Sequence, residues 1–255
     1  MKALIWKELR ENRIKLIITF VLLIAVAVFV AAAYTMLSSG MIPGMEKMPA
    51  DVANLLQKIM PDFSNINSYL FSQWFSKNLE QVGALLAVIL LTGTVAGERE
   101  LHTAVFLFSR PVSRKAVLAA KAIVLLSGLC ISVIAATLAA AVTSIVIGKT
   151  PDPAFLAVAL LHALVALLVM AAFSLLVSVL IPDRIKGALV AGAVLIVCSL
   201  LGQVRFLRWL NPLALFGSRS LVTHPVPQLA PLLVGTGLIA VLLWLAYQAL
   251  ERQEF

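Results

Sequence analysis

The chain has 255 residues, 62% of them hydrophobic and 13% charged, with a formal net charge of +8. Soluble domains are about 45–50% apolar and about 25% charged, so this composition excludes a soluble globular protein and describes an integral membrane protein with little soluble mass. The Lys and Arg residues sit in short clusters at the ends of apolar runs instead of along one stripe, which excludes nucleic acid as a partner.

Residues 1–15 place Leu4, Ile5, Leu9 and Ile14 near one helical face, with Lys7, Glu8, Arg10, Glu11 and Arg13 around the rest. The pattern predicts an amphipathic helix in the headgroup region, anchored by Trp6. A first span follows over 16–37. Ala31 to Ala33 imitate a cleavage site, but the apolar run is too long for a signal peptide, so the segment is expected to be retained. Residues 38–78 carry Pro43, Pro49 and Pro61 and read as an external loop. Its aromatic group of Phe63, Tyr69, Phe71, Trp74 and Phe75 is expected at the membrane interface. The second span, 79–97, ends in the small-residue pair Gly93 and Gly97, a spacing that permits close packing within the chain.

An island of charge occupies 97–121, between two long apolar runs. Charge of that density cannot lie in hydrocarbon, and its excess of Lys and Arg assigns it to the cytosol. Within it Leu101, Val105 and Phe108 recur at helical spacing, predicting a short helix with one apolar face. Such a face suits a partner's groove, or else the lipid surface. Pro111 stops this helix and Ser113 is placed to cap the next. The third span, 116–147, exceeds the roughly 20 residues a bilayer needs and is expected to tilt or project.

The turn from Gly148 to Pro153 contains Gly148, Lys149 and Thr150, but Thr143 stands where a phosphate-binding loop needs glycine and no strand precedes it. The fourth span, 154–181, returns through Pro182 to Gly187 into a short fifth span, 188–203. Residues 204–228 mix Phe206, Trp209, Leu213 and Phe216 with Arg205, Arg208, Asn211, Pro212 and Arg219. This fits a re-entrant pair of half-helices covered by the protein itself. The last span, 229–250, leads to the short tail 251–255. On this layout thirteen Lys and Arg lie on the inner side and seven on the outer, placing both termini in the cytosol. The three arginines at 205, 208 and 219 oppose that bias locally.

The interiors of the proposed spans are read as bare of acids and arginines, with His162 and Lys121 as their ionisable side chains. Ion-coupled transporters place such groups at mid-membrane, so this chain lacks that equipment. There is no paired-histidine zinc motif and no G-x-S-x-G turn. His102, His162 and His224 fall in separate segments, and His162 reads as a helix-packing hydrogen bond. Cys130 and Cys198 each lie in an apolar run and read as small core residues. No catalytic, cofactor or metal residue is assigned. If the protein moves something, its energy comes from elsewhere.

The run VAGERELHT at 95–103, then FLFSRPVSR at 106–114, then Lys121, resembles the region between the second and third spans of membrane subunits of type-2 ABC exporters. The likeness extends to the basic start, the six spans, Asn211 and Pro212 before the last span, and the short tail. His102 departs from it, standing where that family often has Gly. The resemblance implies an all-α integral membrane fold with an N-terminal amphipathic helix over 1–15, a cytosolic coupling loop over 98–115 and a re-entrant segment over 204–228.

It further implies a plasma-membrane permease that pairs with a second, identical or homologous permease and with two cytosolic ABC ATPase subunits, which hold the ATP and Mg. Glu98, Glu100, Leu101, Val105, Phe108, Arg110 and Arg114 would dock the ATPase. Trp6, Leu9 and Arg10 would belong to a connecting helix that transmits its closure. The alternative is a membrane scaffold or sensor that recruits cytosolic proteins without transport.

Overall fold

The computed structural model describes residues 2–38, 65–100, 113–202, 204, 206 and 211–252, the side chains of Arg99 and Glu100 excepted. Among the described residues six helices are long and apolar enough to cross a membrane. They are α1 (Lys2–Ser38), α2 (Ile66–Thr92), α4 (Arg114–Val146), α5 (Pro153–Leu180), α6 (Arg184–Leu201) and α7 (Leu229–Glu251). The short helix α3 (Ala96–Glu100) stands between α2 and α4. The fold is all-helical and multi-pass, as the apolar runs predict.

The expected break between a surface helix over 1–15 and a first span is absent. With no Gly or Pro from Lys2 to Ser38, nothing interrupts the backbone ladder, and α1 is one rod. At 1.5 Å per residue it is about 55 Å long, well beyond the ~30 Å of hydrocarbon. Its buried stripe reads Glu8, Thr19, Leu23, Ala27, Ala31, Tyr34, all on the face that packs along α4. Trp6, Leu9, Ile14, Ile17 and Phe29 are exposed. The two helices run parallel, with Leu16 of α1 against Gly128 of α4.

The second span starts earlier than its composition indicates, at Ile66 instead of Leu79. Over Leu70–Gly83 its turns widen to the i→i+5 pattern, and the Asn78 side chain donates to the Gln73 carbonyl at 2.7 Å. Leu70, Trp74, Phe75, Leu79 and Gly83 are buried. Their spacing of four to five residues keeps one face inward only on a widened helix. The aromatics expected at the interface are therefore core. The Tyr69 hydroxyl donates to the Val30 carbonyl at 2.7 Å, Trp74 Nε1 donates to Thr137 Oγ1 at 3.2 Å, and Phe75 meets Phe155 edge-on at 6.0 Å. These contacts tie α2 to α1, α4 and α5, and bulky rings with one polar atom each are well suited to that task. Phe63 lies outside the described residues. The earlier start also places Glu80 half-way along α2, which corrects the expectation that the spans hold no interior acid.

Caps mark the remaining boundaries. Ser113 Oγ accepts from the Ala116 N–H at 3.2 Å, as the position after Pro111 predicts. Asp152 caps α5 with Pro153 in its first turn, and Asp183 caps α6 by accepting from the Lys186 N–H at 2.9 Å. That hydrogen bond and the nearby Lys186 ammonium hold the Asp183 carboxyl below its ordinary value. α5 is the central helix, packing against α7, α2, α6 and the 3₁₀ turn Pro212–Phe216. α6 and α7 are peripheral, with few buried residues apiece.

Candidate functional site

Five helices bring charged or polar groups to one end of the bundle, the end that holds residues 8, 98, 121, 184 and 250. Its centre is Lys121, on the second turn of α4 and only 4% exposed. Its Nζ lies 3.1 Å from Glu8 Oε1 on α1 and 2.8 Å from Glu98 Oε1 on α3. Glu8 is itself 2% exposed. An ammonium with two carboxylates, removed from water, holds its geometry strongly, because displacing any one member strands charge in a low-dielectric site. Asn12 extends the network, donating to Glu8 Oε2 at 3.4 Å and accepting from Lys15 Nζ at 3.2 Å. The outer pairs of Lys7 with Glu8 and Glu11 are exposed on the lysine side and contribute little.

The third member is placed by a separate device. Thr94 and Val95 form the turn after α2. The Ser178 hydroxyl of α5 accepts from the N–H groups of Val95 at 2.9 Å and Ala96 at 3.2 Å, satisfying the free donors at the start of α3. Gly93 lets this corner form: the Arg184 Cδ lies 2.9 Å, and the Lys15 Nζ 3.8 Å, from where a Cβ would stand. The small-residue pair thus serves packing within the chain.

Glu8, Glu11 and Glu98 offer carboxylate oxygens within 4.8 Å of one another, a spacing that could ligate a metal. Lys121 stands against two of these three carboxylates, Glu8 and Glu98, and forms an ion triad with them.

The residues expected to dock a partner divide into two groups. Leu101, Val105, Phe108 and Arg110 lie outside the described residues, and the Glu100 side chain is not described. Glu98 enters the triad. Arg114 is turned inward, its Nη1 donating to the Leu250 carbonyl at 3.0 Å and the Glu251 carbonyl at 3.4 Å, which caps the C-terminus of α7. Lys115 lies over the Tyr247 ring at 5.6 Å and joins the same two helices. Of the connecting-helix residues, Trp6, Leu9 and Arg10 are all exposed, on the side of α1 away from Glu8.

Sequence reasoning placed Glu8 on the outer polar face and missed it. The signal was present: Glu8, Asn12, Lys15 and Thr19 continue, at helical spacing, into the buried stripe Leu23, Ala27, Ala31. A polar row in line with an apolar core row faces the protein.

At the other end His162, fully buried on α5, packs as a hydrogen-bonded core residue. Its Nε2 accepts from the Gln228 N–H at 3.1 Å and its Nδ1 faces the Leu215 carbonyl at 3.2 Å, so Nδ1 carries the proton. The imidazole ties the 3₁₀ turn and the start of α7 to the central helix.

Between α2 and α6 lies a groove of about 970 Å³, bounded by Leu85, Val88, Ile89, Ile185, Leu189 and Ile196, with Glu80 and Arg184 among its few polar groups. It is a long apolar surface joined to the ion triad through the corner at Gly93.

The family model of the ABC-2 family transporter proteins matches residues 2–255. The chain belongs to that family. It is an ABC transporter permease with transmembrane helices, of a kind of membrane domain that lacks ATPase activity of its own. A search of curated proteins found no match. The family places the permease in a setting where ATPase partners supply energy, and the polar end just described holds Glu98 and Arg114, from the two described ends of the charged segment 98–115.

Proposed function

We propose that this permease is the membrane subunit of an ATP-driven exporter in the cell membrane, with both termini in the cytosol. It forms the translocation path with a second permease, identical or homologous, and draws its energy from two ATPase subunits docked on residues 98–115. Glu98, Glu100, Leu101, Val105, Phe108 and Arg110 form the docking element. Arg114 bounds it while holding α7, and Trp6, Leu9 and Arg10 present the outer face of α1 to the same partner. The groove between α2 and α6 is this subunit's side of the path.

The observation that carries this reading is the triad of Glu8, Lys121 and Glu98. Glu98 opens the segment proposed to meet the ATPase. Any displacement of that segment pulls on a buried salt bridge whose other members stand on α1 and α4, helices of 37 and 33 residues. Helices of that length, packed along each other, move as rigid bodies and carry a shift at one end to the other.

The test is the double substitution Leu101→Glu and Phe108→Glu, which puts charge on the apolar face predicted to enter the ATPase groove. The expected result is loss of the ATPase from the purified complex, with the variant permease eluting and unfolding like the wild type. A variant that keeps its ATPase contradicts the docking assignment.

A further inference from the structure

Glu80 has no part in the mechanism proposed above. It lies half-way along α2, half-buried, and among the described residues its carboxylate has no hydrogen-bond or ion-pair partner. It lines the groove between α2 and α6 beside Gln81. The hydroxyl-bearing side chains of the groove are spent: Thr92 Oγ1 donates to the Val88 carbonyl at 2.7 Å and Ser199 Oγ to the Leu195 carbonyl at 2.8 Å. Most of the remaining wall is Leu, Ile, Val and Ala.

An ionisable group on a membrane-length helix, facing a cavity and unpaired, is costly to maintain unless something pairs with it. Arg184 does not. Its stem packs on Gly93, just past the end of α2 and thirteen residues beyond Glu80, or roughly 20 Å at helical rise. Standing at the first residue of α6, its guanidinium can reach water or headgroups, whereas a short Glu side chain at mid-helix cannot. Among the described residues the groove's uncompensated charge is therefore negative, and its volume of about 970 Å³ is that of a drug-sized ligand site.

We propose that the groove between α2 and α6 binds a lipophilic monocation, with the Glu80 carboxylate as its counter-charge and the Leu and Ile side chains of both helices enclosing its apolar body. This deepens the exporter reading by naming a class of cargo, and it rests on that reading only for the word cargo. Binding itself needs no ATPase, so the two fail separately.

The experiment uses the full-length permease in nanodiscs, without partner, and measures saturable binding of tetraphenylphosphonium over empty nanodiscs. Tetraphenylborate serves as the control of equal shape and opposite charge. Wild type is expected to bind the cation saturably and the anion not at all. Glu80→Gln is expected to weaken cation binding at least tenfold, and Glu80→Asp to retain most of it.

A second measurement needs no variant: dicyclohexylcarbodiimide, which modifies carboxyl groups in apolar surroundings, should label Glu80, and tetraphenylphosphonium should slow that labelling several-fold. Three results would overturn the proposal: no saturable cation binding to the wild type, equal binding of the anion, or cation affinity unchanged in Glu80→Gln. A change in oligomeric state in that variant with cation affinity intact would likewise overturn it, assigning the groove to a second copy of the chain.

Discussion

At the scale of single residues, Lys121 decides more than its position near the end of an apolar run indicates. Its ammonium hydrogen-bonds two carboxylates, the buried Glu8 and the half-buried Glu98, and neutralises one of them. Lys121→Met is isosteric along the stem but leaves Glu8 and Glu98 facing each other without a cation. The expected loss is about 3–5 kcal/mol, read as earlier unfolding in a denaturing-detergent titration. Adding Glu8→Gln to that variant should return part of the loss, because one stranded charge is then gone. Full additivity of the two changes would show that they are not coupled.

Lys121 was visible in the sequence as ionisable, and Glu98 as part of a charged turn. That they meet Glu8 was not visible, because an amphipathic pattern gives the angle between faces and not which face the protein covers. The row from Glu8 through Thr19 into Leu23 resolves that choice only when read together with the span that follows it. Glu80 was lost for a different reason: a boundary misplaced towards Leu79 turned a mid-helix carboxylate into a helix end.

At the scale of elements, four of the six spans match the apolar runs within a few residues. Ser113 caps α4 as its place after Pro111 predicts, and Asp152 and Asp183 cap α5 and α6. α1 runs on through its expected break, and α2 begins well before its apolar run. Its first half is rich in Ser, Asn and Gln and poor in aliphatics, so hydropathy reads as a loop, while the aromatics that bury it are scored as interfacial. Widened turns, which align Leu70, Trp74, Leu79 and Gly83 on one face, have no signature in a 3.6-residue period.

The pairing of α4 with α7 was equally invisible, because it depends on one guanidinium reaching the last carbonyls of a helix far away in sequence. Arg114→Ala should free that end. Amide exchange over the last turn of α7 is expected to rise about fivefold, the effect of losing roughly 1 kcal/mol of capping, while exchange in α5 stays unchanged. No change at the α7 end would mean that the cap does not hold that helix in solution.

At the scale of the whole molecule, the bundle has a polar end and an apolar waist. α1, α3 and α4 share the triad, α7 is pinned to α4, and Arg184 at the start of α6 packs against the corner at Gly93. α1, α4, α6 and α7 thus bring charged or polar groups to that end, α2 reaches it through the corner at Gly93, and α5 joins it through the Ser178 hydroxyl. Among the described residues at the opposite end, His162 gathers the 3₁₀ turn and α7 through neutral hydrogen bonds. That asymmetry suits a membrane protein driven from one side. The exporter reading requires that side to be the cytosol.

Its most direct test is the accessibility of position 108. With Cys130 and Cys198 replaced by Ala and Phe108 by Cys, a membrane-impermeant maleimide should label the chain in inverted vesicles and leave intact cells unlabelled. Labelling of intact cells at that position would place segment 98–115 outside, away from any ATP, and contradict the account.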